Sequence, residues 1–195
     1  MSTNPSSDSR KRFLLIRTDR IGDTILTLPA VTVLRNCYPD SFIAFLAQPY
    51  TVPLIEQYAG IDLLLSYEPQ GRHKGWKGLS KLSRELQELN FDTALLFYPR
   101  LELAFALVKA KIPLRIGTGY RWYSFLLTKR IYEHRKECKK HESEYNLSLL
   151  ESLIQDKITQ PHYEFKQWTP EPWWDDFQTE LKSKGYVILL SLIHI

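Results

Sequence analysis

The chain has 195 residues, 44% of them hydrophobic and 25% charged, which is enough for one α/β domain with a substantial core and short for two. Its apolar runs are too short to cross a bilayer, which takes about 20 apolar residues, and no apolar signal core precedes the first predicted strand, so the expected compartment is the cytoplasm. A net charge of +4, spread over 26 basic and 22 acidic residues, suits an anionic ligand or a membrane surface and does not call for nucleic acid.

The polar, serine-rich segment 1–12 reads as a disordered tail. Phe13 to Ile16 is a short continuous apolar run, the pattern of a strand covered on both faces. A helix is predicted over roughly Asp23 to Asn36, with Ile25, Leu28, Val31 and Leu34 on one stripe. Pro29 lies inside it, so the helix either starts late with Thr27 as its cap or is kinked. Phe42 to Ala47 is a second buried strand, followed by a short helix over Val52 to Tyr58 that stops at Gly60. Leu63 to Leu65 reads as a strand and Leu79 to Leu89 as an amphipathic helix. A strand over Asp92 to Tyr98, a helix over Leu101 to Ala110, a strand over Leu114 to Ile116 and a helix over Glu142 to Ile154 complete the domain, 13–160. Strands alternating with helices predict crossover units and a parallel sheet. Segment 161–172 holds three prolines and reads as a linker. Beyond it, Trp173 to Lys184 is a predicted helix stopped by Gly185, and Tyr186 to Leu189 a strand opening a second domain over 173–189.

The segment most informative about chemistry is Arg17-Thr-Asp-Arg-Ile-Gly-Asp23, between the first strand and the first helix. Ligands of open α/β sheets gather outside the carboxyl ends of strands, where this loop falls. Gly22 would allow a tight turn and close approach of a ligand. Asp23 is either an N-cap or a general base that takes the proton of a sugar hydroxyl as a new bond forms. The glycine-rich stretch Gln70 to Gly78 places Arg72, Lys74 and Lys77 where they could close over a carboxylate or phosphate, or simply be solvated. Gly117 and Gly119 do not make a dinucleotide fingerprint, because Trp122 occupies the third glycine position; Arg121 beside them is a candidate anion contact. His141 either caps the helix after it or touches ligand. Cys37 and Cys138 are far apart and lack a C-x-x-C, which gives neither a zinc site nor a disulfide framework. With no H-E-x-x-H, Asp-x-Asp, G-x-S-x-G or Walker A pattern, no metal and no cofactor is expected.

Taken in order, Arg17-Thr-Asp-Arg-Ile-Gly-Asp-Thr-Ile-Leu-Thr-Leu-Pro-Ala30, Arg115-Ile-Gly117 and His141-Glu-x-x-x-Asn146 resemble the motifs of glycosyltransferase family nine, the ADP-heptose:lipopolysaccharide heptosyltransferases. The resemblance covers about Phe13 to Leu189. It implies a Rossmann-like, acceptor-binding domain forming the N-terminal half of a two-domain GT-B enzyme. The implied reaction is inverting, metal-independent transfer of a heptose from a nucleotide-sugar to the lipopolysaccharide core, at the cytoplasmic face of the inner membrane. The family's catalytic carboxylate falls on Asp23, its acceptor contacts loosely on Gly22, Arg72, Lys74 and Lys77, and positions near its cleft on Arg121 and His141. Donor-binding residues are expected in a second lobe of which 173–189 would be the start, so this chain alone is expected to be inactive. The last six residues, Leu190 to Ile195, resemble the translated end of a sequencing-library adapter and are expected to be a sequencing artefact on a truncated gene. The rival from another class is a non-catalytic binding domain for an anionic glycan.

Overall fold

In the computed structural model, residues 10–133, 140–154 and 162–166 are described, with Asp176, Thr179, Glu180, Lys182 and Ser183 beyond them. The expected tail, linker, second-domain strand and C-terminal six residues lie outside the described residues, wholly or for the greater part. The chain divides into two compact units, Met1–Phe165 and Lys166–Ile195; the described residues of the second are partly helical.

The first unit is built on a six-stranded parallel sheet ordered β3-β2-β1-β4-β5-β6. Its strands are β1 Arg12–Ile16, β2 Phe42–Ala47, β3 Leu63–Ser66, β4 Thr93–Leu96, β5 Leu114–Thr118 and β6 Lys129–Ile131. The registers are long-range, with Phe13 opposite both Ile43 and Thr93. Central strands buried on both faces need apolar residues at every position, and Phe13, Leu14, Leu15 and Ile16 are all fully buried. Alternation of side chains then divides them between two cores. Leu14 and Ile16 pack with α4 (Gly75–Glu88) and α5 (Leu101–Lys109), whereas Phe13 and Leu15 pack with α2 (Pro29–Cys37) and α6 (Glu142–Glu151).

Pro29 starts a helix and does not kink one. The predicted single helix is two, α1 (Ile21–Ile25) and α2, joined by tight turns through Leu26 and Leu28, with Pro29 as the first residue of α2. Proline there forfeits no helical hydrogen bond. Thr27 is not the cap: Leu28 holds that position, and the Thr27 hydroxyl donates instead to the Asp23 carbonyl, 2.8 Å away. After β2 come a 3-10 turn at Pro49–Thr51 and the short helix α3 (Val52–Ile55). Helix α4 begins four residues earlier than its leucine spacing indicated, and β6, with two charged residues in three, had no sequence signal.

Candidate functional site

The strand order reverses direction between β1 and β4, and at such a switch point the connections leave the carboxyl ends of the two strands toward opposite faces and open a crevice. The loop Arg17–Arg20 and helix α1 occupy the β1 side of that crevice. The Arg17 backbone N–H donates to the Leu46 carbonyl at 3.1 Å, extending the sheet ladder by one residue. A charged side chain is thereby drawn into the interior, with only 4% of it exposed.

Buried charge needs partners, and four converge on this guanidinium. Arg17 Nε donates to Asp19 Oδ1 at 2.6 Å and Nη2 lies 3.2 Å from Asp23 Oδ1. Nη1 donates to Asn146 Oδ1 at 3.3 Å and faces Glu142 Oε1 at 3.8 Å. Asn146, fully buried, donates in turn to the Leu26 carbonyl at 3.1 Å and to Thr27 Oγ1 at 3.2 Å. The first turn of α6 is thus fastened to the turn that follows α1. Burial pushes the Asp19 carboxyl above its ordinary range, with Arg17 opposing the shift. From the β2 side, Gln48 Nε2 donates to the Thr18 carbonyl at 2.6 Å and the Tyr50 hydroxyl donates to the Asp19 carbonyl.

Asp23 is the third residue of α1 and makes no cap hydrogen bond; Arg20 holds the cap position. The cap alternative for Asp23 is therefore not what the fold uses. Its carboxylate is instead oriented by Arg17 and keeps about a third of its surface, 32%, open at the crevice. Gly22 sits inside α1 with ordinary helical backbone, so no tight turn requires it, and a Cβ there would meet no atom of the chain within 4 Å.

The basic loop follows β3, two strands from β1 and so about 10 Å from it along the sheet. Arg72 folds back on its own loop, donating to the Ser66 carbonyl at 3.0 Å and pairing with Glu68 at 3.3 Å. Lys74 is the cap residue of α4 and Lys77 lies in its first turn, both exposed. Two lysines at a helix N-terminus oppose the helix dipole, which leaves that end strongly attractive to anions. The loop is pinned, not slack. His73 is 3% exposed, stacks on Tyr67 at 5.7 Å and accepts from the Glu68 N–H at 3.0 Å. Burial, and secondarily Arg72, lower the His73 pKa, with Glu85 at 3.4 Å opposing. Gly78 allows this closeness, since a Cβ there would fall on the His73 carbonyl carbon and 2.6 Å from its Cα.

Arg121 is exposed in the loop after β5, on the opposite flank. Arg115 is structural, donating to the Leu126 carbonyl at 2.8 Å and so holding the β5–β6 connection. His141 caps α6: its Nδ1 accepts from the Ser143 N–H, while Glu144 accepts from the His141 N–H at 2.5 Å. That cap sets the helix that delivers Glu142 and Asn146 to Arg17. Among the described residues, none of Arg72, Lys74, Lys77 and Arg121 is paired with Asp23, and no three His, Cys, Asp or Glu side chains form a metal-holding group. Sequence reasoning missed the roles of Arg17, Asn146 and Tyr50. The available signals were a charge placed directly after a fully apolar strand and the presence of Arg17 and Asn146 in the motifs that carry the resemblance.

The chain and its fold are similar to known proteins. The chain is 26% identical over 145 residues to a Haemophilus influenzae protein provisionally assigned as a glycosyltransferase, across 74% of this chain and 41% of that protein. It is 26% identical over 176 residues to lipopolysaccharide heptosyltransferase 3 of Escherichia coli, across 86% of this chain and 50% of that protein. A glycosyltransferase family 9 structure from Veillonella parvula superposes with a TM-score of 0.73 at 24% identity, covering 94% of this chain and 53% of its own. The E. coli ADP-heptose lipopolysaccharide heptosyltransferase II superposes with a TM-score of 0.65 at 20% identity, covering 88% and 50%. No protein-family model matches the chain. The chain spans half or less of the length of these curated relatives. The resemblance to family-nine glycosyltransferases is borne out, and the helix-flanked parallel sheet matches about half of their GT-B-like fold.

Proposed function

We propose that this chain is the acceptor-binding half of an inverting, metal-independent glycosyltransferase, with Asp23 as its general base. The transferred sugar is a heptose, the donor a nucleotide-heptose and the acceptor the lipopolysaccharide core, presented at the cytoplasmic face of the inner membrane. The observation that carries this reading is the position of Asp23: beyond the carboxyl end of β1, at the switch point, partly open and fixed by a buried arginine. The acceptor hydroxyl oxygen attacks the anomeric carbon from the face opposite the leaving group. Its proton passes to the Asp23 carboxylate as the new C–O bond forms and the bond to the nucleoside diphosphate breaks. Arg17 holds Oδ1 from behind, which sets the direction of the carboxylate. Lys74, Lys77 and Arg121, exposed on either flank, hold the anionic acceptor. Stabilisation of the departing diphosphate falls to cationic groups of a donor-binding lobe, so the 195-residue chain alone is expected not to transfer.

The test is Asp23→Ala and Asp23→Asn in an enzyme carrying both lobes. Transfer should fall by about 10²–10⁴-fold with acceptor binding retained. Transfer within about tenfold of the parent rules out a base at this position.

A further inference from the structure

The molecule presents an apolar face that this reaction scheme does not use. Helix α5 buries Leu103, Ala104, Ala106 and Leu107 against the sheet, yet its outer side carries Leu101, Phe105 and Val108, each more than a third exposed. Their spacing of four and then three residues makes them one stripe. Trp76, 76% exposed at the start of α4, meets the Phe105 ring edge-on at 5.8 Å and extends the stripe on one side. On the other side, the 3-10 turn Ser124–Leu126 packs against α5 and bears Phe125, with Trp122 just before it, both mostly exposed. Large exposed apolar groups standing together mark an interaction surface.

The charge on the same elements identifies the partner. Segments 74–88, 100–111 and 120–130 together hold ten of the chain's 26 basic residues and three of its 22 acidic residues, Glu85, Glu88 and Glu102. The remainder of the chain is net acidic, so the excess positive charge of the protein is carried by the segments that bear and flank this stripe. Indole rings at the level of the headgroups, aliphatic and phenyl groups beyond them, and lysines alongside are the composition of a surface that settles into an anionic bilayer. A single-stranded nucleic acid would use the aromatic rings and the cations but leaves no role for the aliphatic Leu101 and Val108.

We propose that the α5 face, framed by Trp76 on one side and Trp122 and Phe125 on the other, docks the protein on an anionic lipid bilayer. The face adjoins the carboxyl ends of β4 and β5, where α5 and the Arg121 loop begin. A protein seated on it would therefore hold its crevice beside the membrane surface. The inference rests on the proposed function only for the purpose of docking, and the binding itself is measured without any transfer reaction.

The test uses sedimentation of the full chain with vesicles of phosphatidylethanolamine and phosphatidylglycerol, against vesicles of phosphatidylcholine alone. The expected result is partition onto the anionic vesicles that weakens but survives in 0.5 M salt, because screening removes only the electrostatic part. Trp76→Ser with Phe105→Ser, and separately Trp122→Ser with Phe125→Ser, should each reduce partition by roughly tenfold or more with unchanged melting temperature. Asp23→Ala should bind vesicles as the parent does, so loss of the base and loss of docking are read apart. Absent partition, or equal partition by the serine variants, overturns the proposal. So does a vesicle-independent dimer that the serine variants abolish, or a single-stranded oligonucleotide that displaces the vesicles stoichiometrically.

Discussion

The guanidinium of Arg17 is the point at which stability and chemistry meet, and Arg17→Met tests both. Methionine keeps much of the length of the side chain while removing its charge and its donors. Of the partners left behind, Asp23 and Glu142 are about 30% exposed and can be solvated, whereas Asp19 is only 12% exposed. Breaking a buried pair costs about 3–5 kcal/mol. Because two of the three carboxylates can turn to water, the lower end, about 3 kcal/mol, is expected. In a domain of this size that is a fall in melting temperature of roughly 6–12 °C. The pH dependence has a definite sign. Asp19 already has a folded-state pKa above its ordinary 3.8, from burial, and Arg17 is what opposes the rise. Without Arg17 the shift grows, so the folded protein holds that proton more tightly than the unfolded chain. Stability is then retained at acid pH and lost as pH rises through the folded pKa of Asp19. Differential scanning calorimetry of parent and variant from pH 4 to pH 8 should show a gap that widens upward. A melting temperature within 2 °C of the parent, or a gap independent of pH, refutes the account of a buried charge held by carboxylates.

Gly78→Ala should destabilise although alanine is favoured over glycine in helices by about 1 kcal/mol. The new methyl needs the His73 Cα to move from 2.6 Å to the 3.4 Å of ordinary contact, and such overpacking costs about 1–3 kcal/mol or more; a melting temperature above the parent's would show that the loop yields freely. His73 makes the opposite pH contribution to Asp19 in the variant. Its folded pKa lies below 6.5, chiefly through burial, so the unfolded chain takes up the proton first and stability declines as pH falls below about 6.5. In His73→Gln that part of the decline should disappear, which melting curves at pH 7.5 and 5.5 will register.

Much of the architecture was legible because a parallel sheet covered on both faces writes itself as uninterrupted apolar runs. Phe13 to Ile16 and Phe42 to Ala47 were readable on that ground alone. Lys129–Ile131 was not, since an edge strand has one free side and tolerates charge. The glycines before Leu79 suggested slack, yet Gly78 serves close packing, a distinction that depends on what lies opposite and not on local composition. Asp23 could be singled out from its place after a strand. Arg17 could not be assigned a role, because the burial of a charge is decided by partners such as Asn146, which stands 129 residues further along the chain.

That separation has a consequence for how the molecule is made. Strand β1 is synthesised first and gains β2 as a neighbour early, but its other edge waits for β4, which begins at Thr93. At about 5–20 residues per second a nascent chain leaves that edge bare for seconds. Arg17 has Asp19 and Asp23 beside it at once, but waits longer still, for α6, to gain Asn146 and Glu142. Translation halted between β6 and α6 would yield all six strands with the buried Arg17 short of two of its four partners, a species suited to capture by chaperones and proteases.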